Sequence, residues 1–177
     1  LIRSTMELGG KTPIIICEDA DLDGAIAGTL FAAFIASGQT CVSGARFIVH
    51  TSIYDHFTKA LAKRADAIKV GDPMADSTQM GPVISNASKN RCIRIIAQAK
   101  ADGAVQIAGL CPLDLETPFD KGYYLRPTVF KDVKSNHGLF LDEVFGPVIS
   151  VTPYKKEEEA LRLANIGDFG LGLSIWS

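Results

Sequence analysis

The chain has 177 residues, 47% of them apolar and 21% charged, with a formal net charge of -2; a chain this long buries roughly 70% of its unfolded surface as one domain, without disulfide or metal staples. That balance points away from nucleic acid as a partner, and no apolar run reaches the ~20 residues of a bilayer span, the most apolar stretch being broken by Gly28 and Thr29. The four cysteines, Cys17, Cys41, Cys92 and Cys111, are too scattered for a zinc pattern and too few for a disulfide scaffold, so no metal site and a reducing compartment are expected.

In chain order, KTPIIIC (11–17) is a β-branched apolar run that predicts a buried strand, followed by a helix with Asp residues placed to cap it. ARFIVH (45–50) predicts a second strand. The next helix begins near Ser52 and Asp55, which have capping-box spacing. A helix near 86–102 carries Ile93, Ile95, Ile96 and Ala99, and AVQIAG (104–109) returns as a strand. Residues 110–122 read as loop, and YYLRPTVFKDV reads as a strand interrupted by Pro127, at an edge or a bend. VISVTPYK predicts a strand, KEEEALRLAN a helix with three Glu residues at its positive end, and GLGLSIWS a last strand. Such alternation implies an α/β fold of three layers, α/β/α, with a mostly parallel sheet. The chain opens at Leu1 and ends inside a predicted strand, and reads as a piece of a longer protein.

Two glycine pairs invite a phosphate-loop reading, ELGGK (7–11) and GLG (170–172), but both run into strands. Without a helix N-terminus the backbone N–H groups do not converge on a phosphate. FIASGQTCVSGAR (34–46) is more informative: it sets Cys41 among small residues where a long apolar helix stops. Cys41 is either a small core residue or a nucleophile in a turn, its own N–H open to an oxyanion. Cys17, in PIIICED, suits the core role. His50, His56 and His137 read as surface residues, and no cysteine-protease signature accompanies them. Glu7 and Glu143 stand among apolar and glycine residues, unlike Glu157, Glu158 and Glu159 on a solvated helix face.

ELGGK with Glu7, GQTC with Cys41 and EVFGPV with Glu143 and Phe145 occur in one order and, with CVSGAR, MGPVIS, YYLRPTVF and ANIGDFGLGLSIWS, resemble the catalytic domain of the aldehyde dehydrogenase superfamily over essentially the whole chain. The resemblance implies a single catalytic domain over 1–177, with the cofactor-binding domain and the C-terminal oligomerisation segment lying outside it. It implies oxidation of a small-molecule aldehyde to a carboxylic acid with NAD or NADP, Cys41 as nucleophile and Glu7 as the base that hydrolyses a thioester. Glu7 is then expected to be partly buried. Glu143 and Phe145 would hold the nicotinamide ribose and ring, Leu8 and Gly9 would line the same pocket, and Arg46 would tie the turn to the sheet. Many members of that family carry Gln where Ser88 stands, a departure that bears on a secondary ribose contact and leaves the main cofactor clamp unaffected. The resemblance further implies a homodimer or homotetramer, cytoplasmic or mitochondrial, with a fragment inactive alone. The alternatives are a member that has lost its chemistry and a CoA-acylating enzyme, against which Glu7 argues.

Overall fold

The computed structural model describes residues 2–177. Six strands form one sheet in the order β3-β4-β5-β2-β1-β6. They are β1 (Thr12–Ile16), β2 (Gly44–His50), β3 (Val105–Ala108), β4 (Thr128–Lys131), β5 (Val148–Tyr154) and β6 (Ser174–Trp176). All neighbours are parallel except β3, which joins β4 antiparallel at one edge. The helices are α1 (Leu22–Phe34), α2 (Tyr54–Asp66), α3 (Asn86–Ala101), α4 (Gly138–Leu141) and α5 (Glu157–Ala164).

The period of two along each central strand sends its apolar residues to both faces. Ile14, Ile16, Phe47, Val49, Ile149 and Val151 enter one core with Ile26, Phe34, Phe57 and Leu61 from α1 and α2. Ile15, Ile48, Val148 and Tyr154 enter the other, with Cys92 and Ala99 of α3, Phe140 of α4 and Leu163 of α5. This is the expected three-layer arrangement. No helix of the described residues is long and apolar enough to cross a membrane.

Local chemistry sets the helix ends. Asp21 caps α1, accepting from the Gly24 N–H at 3.2 Å, and Ser85 caps α3, accepting from the Ser88 N–H at 3.1 Å. The capping box expected at Ser52 and Asp55 does not form. The Ser52 hydroxyl pairs with the His50 ring at 2.7 Å, and α2 starts without a side-chain cap. The strand expected from Tyr123 shortens to Thr128–Lys131: Pro127 has no N–H for a ladder, and Arg126 instead donates to the Pro112 carbonyl at 3.0 Å.

Candidate active site

Three loops meet where β1, β2 and β5 begin. The first is Glu7–Lys11. The Gly10 N–H donates to Oε1 of Glu143 at 3.0 Å, and a Cβ at Gly10 would stand 2.3 Å from the Cys41 carbonyl oxygen. That neighbour is backbone, so position 10 admits only glycine unless the cysteine loop moves. A Cβ at Gly9 would lie 2.8 Å from Oε2 of Glu143 and displace that flexible carboxylate. The glycine pair therefore works as a close-approach surface on which the cysteine loop and Glu143 both rest.

The second loop ends α1. Ala36, Ser37 and Gly38 turn left-handed, with φ of 48°, 58° and 72°. Gly38 packs so closely on the loop before β5 that a Cβ there would lie 2.4 Å from the Gly146 carbonyl oxygen. The Ser37 hydroxyl donates to the Gly81 carbonyl at 2.9 Å, and the Gln39 amide oxygen accepts from the Ile84 N–H at 2.9 Å. So anchored, the chain presents Cys41 and Val42 to solvent in a turn closed by the Ser43 N–H to the Thr40 carbonyl at 2.9 Å. The Cys41 N–H donates to no group among the described residues. Exposure alone does not single this thiol out, since Cys111 is exposed as well. Cys92 is buried, and desolvation pushes its thiol up. Cys17 is half-buried against the second core, in keeping with its expected packing role.

The third loop follows α4, a helix too short to show a period in the sequence. It carries Glu143, half-buried, and Phe145, whose φ is +52°. Among the described residues Oε2 of Glu143 accepts no hydrogen bond, while Oε1 is held by Gly10. Lys11, Ala36, Ser37 and Phe145 are four of the five non-glycine residues with positive φ among the described residues, the fifth being Asp132. Each such residue costs about 1–3 kcal/mol, and their gathering around one place is what functional sites show.

Beneath the loops lie two buried cations, each 1% exposed. Arg46 donates to the carbonyls of Lys11 (3.0 Å), Ala164 (3.0 Å), Ile166 (2.7 Å) and Leu163 (3.5 Å), and its guanidinium stacks 4.9 Å over Phe140. It fastens the start of β1 to the end of α5, rather than the cysteine turn to the sheet as expected, since all four carbonyls it reaches lie at those two ends. Lys11 was legible only as part of GGK. Its Nζ has no hydrogen-bond partner among the described residues. Burial pushes its ammonium down to about 7, Arg46 pushes the same way, and Asp142 and Glu143 oppose both.

Other expectations need correction. Glu7 is exposed rather than partly buried, and Leu8 beside it is 60% exposed. Both belong to the segment leading into β1, outside any helix or strand. His137 is buried instead of lying on the surface, because its ring packs under its own turn and accepts from the Lys134 N–H at 3.4 Å. Ser88 hydrogen-bonds with Ser85 in the α3 cap.

The aldehyde dehydrogenase family model matches residues 1–177. The betaine aldehyde dehydrogenase of Brucella anthropi is 39% identical over 173 residues, which are 98% of this chain and 35% of that protein. Among solved structures, betaine aldehyde dehydrogenase from Staphylococcus aureus in complex with NAD+ superposes with a TM-score of 0.92 at 37% identity, over 97% of this chain and 34% of that one. An NAD+ complex of aldehyde dehydrogenase from Bacillus cereus gives 0.89 at 40% identity, over 97% and 34%. The chain thus spans about a third of the length of these relatives. The match over every residue, on the fold and loops described above, places this chain in the aldehyde dehydrogenase family.

Proposed function

We propose that these residues form the catalytic domain of a protein that oxidises an aldehyde to its carboxylic acid, with NAD or NADP as the oxidant. The observation that carries the reading is the double contact of Gly10, whose N–H holds Glu143 and whose Cα abuts the Cys41 carbonyl. That contact joins the three motif segments into one place.

In this reading the Cys41 thiolate attacks the aldehyde carbon, a C–S bond forms and the carbonyl electron pair moves to oxygen. The Cys41 N–H, which has no partner among the described residues, is available to that oxyanion, and a donor in such a position is worth about 3 kcal/mol in the barrier. The chemistry that NAD or NADP supplies when bound is acceptance of the hydride, which leaves an acyl thioester on Cys41. Glu7 then takes a proton from water, the water oxygen adds to the thioester carbon, and the C–S bond breaks to return the thiolate. Residues here suit the cofactor. Oε2 of Glu143 is an unused acceptor fixed in place through Oε1, as a pair of ribose hydroxyls requires. Phe145 beside it and the exposed Leu8 offer apolar surface to a ring, and Gly9 leaves room for both. Val42, exposed next to Cys41, is placed to meet the aldehyde tail. A homodimer or homotetramer in the cytoplasm or mitochondrion is the accompanying expectation.

The test uses the full-length protein with NAD and NADP and a panel of aldehydes that includes betaine aldehyde, the substrate in the names of the Brucella and Staphylococcus relatives. Reduction of the cofactor, followed by its absorbance, with formation of the acid is expected without added CoA. A protein that reduces neither cofactor with any aldehyde does not have this function.

A further inference from the structure

We infer that Lys11 is a positioning residue for Glu143: an ammonium enclosed behind the carboxylate sets where its free oxygen points, acting across a space that holds one water. The inference rests on the clamp role proposed above for Glu143 and names the group that orients it.

Four observations carry it. Lys11 is 1% exposed and enters the interior through a left-handed backbone, φ +37°, that a non-glycine residue seldom adopts. Its Nζ has neither a hydrogen bond nor an ion pair within 4.0 Å among the described residues. It borders a cavity of ≈ 20 Å³ that Glu143 and Ser43 also line, and the Ser43 hydroxyl is a second buried polar atom with no partner among the described residues. Finally, Arg46, the neighbouring buried cation, gives its hydrogen bonds to four carbonyls and none to the carboxylate.

A buried ammonium without partners is strongly disfavoured, so its retention needs a compensating interaction. The cavity exceeds the roughly 10–15 Å³ that a single water occupies by this measure, and a water there has at least two polar partners. Accepting from Nζ and donating to the Glu143 carboxylate, with Ser43 as a third contact, one water would satisfy both orphaned groups. The charged groups facing Lys11 are Arg46 from β2 and Asp142 and Glu143 from the loop after α4. Ala33, Val148 and Ile149, across the cavity from α1 and β5, carry no charge. Attraction is therefore directed at the one loop that holds the clamp.

The experiment is a double-mutant cycle on the full-length protein, reading the Kd for NAD by calorimetry without aldehyde. Lys11→Met is expected to weaken NAD about tenfold in the wild-type background, the scale of one charge-assisted contact, and to have no further effect once Glu143→Gln is present. A loss of the same size in both backgrounds, or no loss in either, overturns the inference. Should Lys11→Met not fold, the pH profile of the wild type and Glu143→Gln serves instead. Discharge of Lys11 near neutrality should weaken NAD binding by the wild type between about pH 6 and 8.5 but not binding by Glu143→Gln. Equal profiles overturn it. If Glu143→Gln itself leaves NAD binding unchanged, the clamp reading fails, and this inference with it.

Discussion

The two ends of the sheet differ. At the carboxyl ends of β1, β2 and β5, Cys17, Glu18, His50, Tyr154 and Lys155 line a depression of ≈ 510 Å³. Open α/β sheets commonly bind ligands at that end. The amino ends enclose only ≈ 20 Å³, yet they carry four of the five left-handed non-glycine residues among the described residues and three glycines, at positions 9, 10 and 38, whose Cβ would collide with a partner loop. Hollow size marks one end and backbone strain the other. The lesson is that close contacts between loops, each a constraint the chain could have relaxed, locate the candidate chemistry better than the larger cavity does.

The contrast can be broken by substitution at either end. The largest effect is expected for Cys41→Ala in the full-length protein, with aldehyde-dependent cofactor reduction falling by at least about 10⁴-fold. His50→Ala at the opposite end should leave the rate within about twofold in the same assay. Next comes Gly38→Ala, which meets both a φ of +72° and the Gly146 carbonyl. It should lower stability by about 2–4 kcal/mol in urea denaturation. A smaller, graded effect follows from Lys11, held at about 7 against an ordinary 10.5. Between those values the unfolded chain keeps a proton that the folded chain has released, so stability rises with pH across that window, by up to about 1.4 kcal/mol per unit. Lys11→Met should flatten that rise when unfolding is repeated from pH 7 to 9. Smallest is Ser52→Ala at the carboxyl end, where no helix cap is lost. A change under about 0.5 kcal/mol is expected.

Much of this was legible in the sequence because its signals are local. β-Branched runs marked β1 and β2, Asp residues preceded α1, and the alternation of elements implied the layers that the two cores make. Cys41 and Glu143 stood out through their neighbours, the same small and glycine residues that now make the close contacts. What escaped depends on partners distant in sequence. Ser52 had the spacing of a cap but its hydroxyl goes to His50, and Tyr123–Pro127 alternate like a strand but lie outside the ladder. The glycine pair with Gly10 invited only a phosphate-loop reading, because the Cys41 carbonyl that packs against it lies 31 positions on. Lys11 stood first in the run read as a buried strand but had no role of its own, because lysines are mostly exposed and only packing reveals how completely this one is enclosed.

The claim on which the account stands is that Cys41 carries the acyl group and Glu7 releases it. Intact-mass and peptide mapping of full-length Glu7→Gln, after incubation with NAD and an aldehyde substrate, addresses both at once. An acyl adduct should accumulate on the peptide that contains Cys41, which wild type clears by hydrolysis. No adduct at all, or one on the peptide of Cys17 or Cys111, would contradict it.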